Sequence, residues 1–589
     1  MKKIYTLFLL IYVSPIFAQT INNNFPGQNA WMPATLPNCT APSGSFTNHW
    51  TDIQNSGVEF LRIGGNDYDK CLRVANDYTA LFTGSNSFPN IISMGFIPVV
   101  QLSYYQTGTA VYTNPNTAAA NAKLIVDALY PLGVRYFSIG NEPDLNPDYA
   151  VNNNFVPPHA QNTAAGIYDY ISTISTLIRA SYNTGNGNPV FLVGPEVSSY
   201  TQSTITALTS GTYNVLPYID IFSFHTYPFG DEGTTASGYQ IDPTRANIIN
   251  VLRNVNPVYF ANSSQVTPLE SQLTSLNTTI ASYNSANSTS IKVAITEANI
   301  CYENDNTGTN STVGTDDLIT GNGANGLLAG QFWAEMMAVC MNKSVEFINF
   351  WSVKEGGSTL PSNIGYLDGT TGNKKPLYHH FEMVADNFKG TYYNQLYTSN
   401  DDTHKAFAYL NTAPTPDEIG VLIINQDLQS PSGDDLTTKS FKINFNTNAI
   451  SGSEDMLFDF NMGSSVPSDY PCSLVGESSM LLVFPINSNI PTRRYVYGLS
   501  QALNGEAPLD VSNTTKYIYS QNDFTTYVPT IYNIIEFIPN SLHIVEGSSD
   551  SKIFRFMTSA TINPTPNSPG YLEIPLGAEF TLMPTPACY

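Results

Sequence analysis

Phe137-Ser138-Ile139-Gly140-Asn141-Glu142-Pro143-Asp144 ends one short apolar run, and Val293-Ala294-Ile295-Thr296-Glu297-Ala298-Asn299 ends another. Each run reads as a strand that delivers a glutamate just past its last apolar residue. Outward from these two, the chain from Gly27 to about Phe388 alternates short apolar runs with longer helical segments. The runs are Gln28–Trp31, Val58–Ile63, Phe96–Leu102, Arg135–Ile139, Val190–Val193, Ile219–Phe224, Lys292–Thr296 and Val345–Trp351. Several are continuously apolar, as strands buried on both faces must be. Helical periodicity lies between them, at Ala118–Tyr130, Thr163–Tyr182, Thr267–Asn284 and Gly326–Asn342. Eight βα units predict an α/β fold, a (β/α)8 barrel over residues 19–388. An open doubly wound sheet would call for a glycine-rich phosphate-binding turn after its first strand, and none is present.

After Lys389 the texture changes to alternating segments separated by Pro, Ser, Asp and Asn: Lys405–Leu410, Gly420–Asn425, Ser440–Phe445, Met456–Phe460 and Met480–Ile486. That pattern predicts a β-sandwich over residues 389–490. A further β-rich region is expected over 491–589, with runs at Tyr517–Tyr519, Tyr527–Phe537, Lys552–Met557 and Tyr571–Leu582.

The 589 residues carry 24 Lys+Arg against 47 Asp+Glu, a net charge of −23, which argues against nucleic acid or an anionic membrane surface as a partner. Only 12% of residues are charged, while 42% are hydrophobic, enough for a large core. Lys2 and Lys3, the apolar stretch Leu7 to Val13, and Ala18 before Gln19 read as a cleaved export signal over residues 1–18. No later run is long enough to span a bilayer. Six cysteines are too few for a disulfide scaffold at this length, and neither they nor the seven histidines form a zinc-like spacing. A secreted protein without metal or cofactor, acting as a monomer, is the expectation.

In a (β/α)8 barrel the C-terminal strand ends converge on one face. Glu142 and Glu297, ending the fourth and seventh predicted strands, are therefore brought to the same mouth. Two carboxyl groups so placed can flank a glycosidic bond, one protonating the leaving oxygen and the other attacking the anomeric carbon. Against this stands the plainer reading that each is a surface glutamate at a βα turn.

Gly140-Asn141-Glu142-Pro143 at the fourth strand end, with Thr296-Glu297 at the seventh, resembles clan A of the glycoside hydrolases, retaining enzymes built on this barrel. The resemblance implies that Glu142 is the acid/base, Glu297 the nucleophile, and Asn141 the partner of a sugar 2-hydroxyl. It also implies that Arg62, in Leu61-Arg62-Ile63-Gly64-Gly65, lies near the nucleophile, and that Tyr227, in Phe224-His225-Thr226-Tyr227-Pro228, bonds to it. His225 on the same motif, Trp351 ending the eighth strand and Glu196 in Gly194-Pro195-Glu196 are further candidates, Trp351 for stacking on a sugar and Glu196 for lining the cleft. Asp144, Asn299 and Glu355 are weaker ones. The texture is most similar to the heparanase/β-glucuronidase and β-xylosidase-type families, which also append a β-sandwich, and it covers about residues 27–490. The function so implied is hydrolysis of a β-linked oligo- or polysaccharide by double displacement, with carboxyl groups about 5–5.5 Å apart. A non-catalytic cell-surface glycan binder or adhesin on the same barrel is the alternative.

Overall fold

Gln19 and Thr20 form a first short strand, β1, and the barrel follows: β2 (Pro26–Asn29), β3 (Phe60–Ile63), β4 (Ile97–Leu102), β5 (Tyr136–Ile139), β6 (Phe191–Val197), β7 (Ile221–Thr226), β8 (Lys292–Ala298) and β9 (Ile348–Phe350). The structure is a computed structural model. It describes residues 19–30, 49–66, 68, 74–104, 112–145, 159, 162–229, 251–253, 267–302, 326–355 and 364–394. Beyond these it describes 404–411, 418–426, 439–444, 455–459, 469–474, 476–486, 488, 490–498, 501–502, 505–510, 512, 516–519, 533–539, 545–546, 553–554 and 578–582. The expected export signal lies outside the described residues.

The eight strands β2 to β9 pair in parallel and in sequence order, and β2 closes on β9. The expected barrel is therefore present. Its first strand starts two residues earlier than the sequence suggests, at Pro26. Proline is tolerated at a strand's first position because its missing N–H breaks no ladder bond there. Gly27 follows where β2 presses on β9; a Cβ there would meet Asn349 Oδ1 at 2.8 Å.

Helices cover the barrel. Pro115–Leu129 turns Ala118, Ala122, Ile125, Val126 and Leu129 inward, an i, i+3/i+4 stripe. It starts on Asn114, whose side chain accepts the Thr117 N–H at 2.8 Å. The helix Leu327–Asn342 is buried along all but its last residue, because the barrel lies on one side and the C-terminal sheet on the other. Within that contact Lys405 Nζ donates to Glu335 Oε2 at 2.5 Å and to Gln426 Oε1 at 2.9 Å. No helix among the described residues is long and apolar enough to cross a membrane.

The C-terminal region contributes a seven-stranded sheet and a three-stranded one. In the larger sheet, β1 pairs β10 (Thr391–Asn394), followed by β11 (His404–Leu410), β12 (Glu418–Asn425), β16 (Ser478–Pro485), β17 (Arg493–Gly498) and β18 (Leu509–Asp510). The smaller sheet comprises β13 (Lys439–Asn444), β14 (Asp455–Asp459) and β15 (Asp469–Leu474). Strand alternation divides the larger sheet's residues between two cores. Ala406, Ala408, Val421, Ile423, Met480 and Leu482 meet Ile443, Tyr470 and Leu474 of the smaller sheet, while Phe407, Tyr409, Leu422, Ile424, Leu481 and Val483 join the barrel's core. That packing is a β-sandwich laid against a barrel. The expected boundary at residue 490 falls between β16 and β17 of this one sheet. Further on, β19 (Lys516–Tyr519), β20 (Asn533–Pro539) and β23 (Ala578–Leu582) form another sheet, and β21 (Val545–Glu546) pairs β22 (Ile553–Phe554).

Candidate active site

Inside the barrel, side chains change from apolar to polar toward the C-terminal end of the strands. Phe60, Val99, Val193, Ile221, Ala294 and Phe347 form an apolar plug, with Phe60 and Phe347 stacked at 4.1 Å. Two residues further along these strands stand Arg62, Gln101, Ser223, Thr296 and Asn349, all buried. The period of two that fills the plug thus delivers polar groups to the mouth.

Arg62 organises that mouth. Its guanidinium is 0% exposed and bonds four side chains. Nη1 donates to Glu297 Oε1 at 2.7 Å and Asn29 Oδ1 at 2.9 Å; Nη2 donates to Glu196 Oε2 at 2.7 Å and Asn141 Oδ1 at 2.8 Å. The planar fork of arginine is what lets one cation reach two carboxylates and two amides. Gly64 keeps space beside it, since a Cβ there would lie 3.0 Å from Arg62 Cζ and 2.6 Å from Gln101 Oε1.

Two of the carboxylates arrive through irregularities in the strands. In β6, Pro195 pairs Ser223 and Val197 pairs Phe224, leaving Glu196 as an extra residue with φ of 58°. In β8, Ile295 pairs Phe224 and Glu297 pairs His225, so Thr296 is the extra residue and Glu297 is re-aimed. Bulges re-aim side chains in this way. The third carboxylate, Glu142, follows Gly140 (φ 82°) and itself has φ of 43°. A side chain at Gly140 would strike the Tyr104 ring at 2.7 Å. The Glu142 N–H donates to the Glu196 carbonyl at 2.8 Å, so the two left-handed turns brace each other. Non-glycine residues in this region cost about 1–3 kcal/mol each and concentrate at functional sites.

His225 sits among all three carboxylates. Its Nδ1 is 3.0 Å from Glu142 Oε1 and 3.4 Å from Glu297 Oε2, and its Nε2 is 3.4 Å from Glu196 Oε2. Tyr227 donates its hydroxyl to Glu297 Oε2 at 2.9 Å. A carboxylate oxygen of Glu142 and one of Glu297 lie within 4.8 Å of each other. Two carboxyl groups with oxygens that close at the mouth of a barrel can flank a single glycosidic bond.

Charge states follow from burial and neighbours. Burial alone would neutralise Glu196, but Arg62, His225 and the Ser223 hydroxyl outweigh it and hold the carboxyl at about 2. Burial likewise works against a charged His225, yet Glu297, Glu142 and Glu196 lift its ring to about 10. Tyr227 is pushed well above the ordinary phenol value, by burial first and then by Glu297 and Glu142, so it stays a donor. Burial also raises Glu297 above the usual glutamate value, with His225 and Arg62 pulling back and Glu142 adding to the rise.

The side-chain trio Glu142, His225 and Glu297 is spaced closely enough to hold a cation. Both Glu297 oxygens already accept bonds from Arg62 and Tyr227, however, and a protonated His225 beside Arg62 opposes a further positive charge.

The sequence-predicted residues Glu142, Glu297, Asn141, Arg62, His225 and Tyr227 are brought together. Glu196 joins them, but its side chain is 0% exposed beneath the site and does not line a cleft, whereas that of Glu142 is 19% exposed at the opening. Trp351 lies at the end of the last barrel strand, its Nε1–H donating to Glu355 Oε2 at 2.5 Å. Asn299 holds the Trp351 carbonyl at 2.6 Å and the Ile364 carbonyl at 3.0 Å, and Asp144 accepts two bonds from Ser198 at 2.8 Å each. Both are framework. Sequence reasoning passed over Asn29, Ser223 and Tyr302. The first two carried no motif. Tyr302 is 43% exposed, five residues after Glu297, and packs edge-to-face on Tyr227 at 6.3 Å.

No known family profile matches this chain, and no curated protein of known function matches it. Solved structures do. It is similar to CelM2, a bifunctional glucanase-xylanase from a metagenome library, at 15% identity over 80% of this chain and 97% of that one, with a TM-score of 0.50. It also aligns with the family 51 α-L-arabinofuranosidase AbfB from Bifidobacterium longum (13% identity, 72% and 85% of the two chains, TM-score 0.45). A Paenibacillus polymyxa xyloglucanase of glycoside hydrolase family 44 aligns at 11% identity, 80% and 97% of the two chains, and a TM-score of 0.46. At 15% identity the CelM2 match speaks for fold. Its 80% share exceeds the roughly three-fifths of the chain in residues 27–388, so the likeness takes in β-sandwich as well as barrel. The chain thus shares the overall fold of that glucanase-xylanase.

Proposed function

We propose that the protein is a retaining glycoside hydrolase that cleaves β-linked glycans, with Glu297 as nucleophile and Glu142 as acid/base. The observation that carries this reading is the pair of carboxylates, with oxygens within 4.8 Å at the C-terminal mouth of the barrel. In the first step Glu297 forms a bond to the anomeric carbon as the glycosidic C–O bond breaks, and the leaving oxygen takes the Glu142 proton. In the second, water attacks the same carbon, gives a proton to Glu142, and releases Glu297. The first step needs Glu297 charged and Glu142 carrying its proton. Both Glu297 oxygens are fixed by donors, Arg62 on one and Tyr227 on the other, so the nucleophile is oriented before substrate arrives.

Asn141, anchored through its oxygen to Arg62, keeps its amide N–H groups for a sugar hydroxyl. Tyr302, 43% exposed beside Tyr227, supplies an aromatic face for the apolar C–H face of a pyranose, whereas Trp351, expected to stack on a sugar, is only 8% exposed and packs in the core. The acidic balance favours a neutral glycan, and the export signal read at residues 1–18 favours action outside the cell. No step requires a metal or cofactor. The test is Glu297→Ala with a β-aryl glycoside and azide: turnover should vanish and azide should restore an α-configured glycosyl azide. Wild-type turnover in that variant would overturn the assignment.

A further inference from the structure

The proposed reaction uses two carboxylates, yet three converge on His225. Glu196 touches no opening: its side chain is wholly buried, it accepts from Arg62 at 2.7 Å and from the Ser223 hydroxyl at 2.7 Å, and it faces His225 Nε2 at 3.4 Å. On its other edge the same ring presents Nδ1 to Glu142 at 3.0 Å and Glu297 at 3.4 Å. We propose that Glu196 is a positioning residue, whose buried carboxylate keeps the His225 ring doubly protonated so that one fixed cation serves both Glu142 and Glu297.

The consequence, which rests on the hydrolase reading, concerns where negative charge goes. In the first step Glu297 gives up its charge on bonding to the sugar, and Glu142 acquires one on losing its proton. The second step reverses both. A neutral imidazole would carry one N–H, which Glu196 and the Glu142/Glu297 pair would compete for. A doubly protonated ring gives Nε2–H to Glu196 and leaves Nδ1–H for whichever catalytic carboxylate is charged. Among the described residues, the charged and titratable groups around the ring are Glu142 after β5, Glu196 on β6, Glu297 on β8, Arg62 on β3 and Tyr227 just past its own strand. Only Glu196 is held charged by bonds that the reaction does not break.

The test is the titration of the His225 ring in 15N-histidine-labelled wild type and Glu196→Gln, its signals assigned by their absence in His225→Gln. The wild-type ring should stay doubly protonated from about pH 5 to 9, in line with its lifted value of about 10. In Glu196→Gln it should lose its proton about one to three units lower, the usual effect of an opposite charge at this range. The alkaline limb of kcat should move down with it while KM holds, and Glu196→Asp should restore the wild-type limb. An unshifted titration in folded Glu196→Gln overturns the inference, even in an active enzyme. A neutral wild-type ring at pH 7 also overturns it, with no variant needed. A shifted titration in a protein that cleaves no glycan would support the electrostatic role and sink the hydrolase reading instead.

Discussion

Replacing Arg62 by methionine keeps most of the side-chain volume and removes the cation that makes the shortest ion pairs to Glu196 and Glu297. Both ion pairs measure 2.7 Å, and the side chains are 0% exposed for Arg62 and Glu196 and 7% for Glu297, so solvent screens little. Removing one partner of a buried pair costs about 3–5 kcal/mol, because a buried charge is left without compensation. The second pair does not double that figure. His225 lies 3.4 Å from both orphaned carboxylates and takes over part of the compensation. At about 2 °C per kcal/mol for a large domain, the barrel's melting temperature should fall by about 6–10 °C. Calorimetry on the purified variant measures it. Adding Glu196→Gln to Arg62→Met should then recover more than about 1 kcal/mol, since it removes one of the stranded charges. A variant that melts within 2 °C of wild type would refute the network as a stabilising unit. A double variant less stable than Arg62→Met alone would refute the electrostatic cause.

Two further outcomes follow from the same geometry. Glu142→Gln should slow glycosides with poor leaving groups by at least about 10²-fold more than activated aryl glycosides, measured as kcat/KM across a leaving-group series, because only the former need a proton donor; equal losses would argue against an acid role. The acid limb of kcat/KM should lie above the ordinary glutamate value of 4.5, because burial raises Glu297 and protonation removes the nucleophile as pH falls through that raised value. A limb below 4.5 in a pH profile of the free enzyme would contradict the site's electrostatics.

Much of this was legible in the chain. Apolar runs of strand length recurring between helical stretches specified the barrel, and the glutamates after Ile139 and Thr296 fell at strand ends that topology gathers to one face. What escaped reading depends on register. Glu196 looked like a cleft residue because strand counting cannot reveal that it is the extra residue of a bulge, turned down onto Arg62 by a φ of 58°. Asn29 was read as the middle of a strand ending at Trp31, yet β2 ends at Asn29 itself, which places its side chain on Arg62. The sandwich was recognisable from alternation, but not that Gln19–Thr20 would join its sheet by pairing with Thr391 and Tyr392. Two-residue strands carry no periodicity, and their partners are set by the fold around them.

The central claim is retention of configuration through the Glu142–Glu297 pair. The most direct measurement is to digest a panel of β-glucan, xylan, xyloglucan and uronic-acid-containing chains while recording the anomeric proton signals of the first products. The Glu142→Gln/Glu297→Gln double variant runs in parallel. The account predicts that the wild type alone cleaves at least one substrate and that the β-anomer appears first, mutarotating later to the equilibrium mixture. An α-anomer appearing first, or equal cleavage by the double variant, would contradict it.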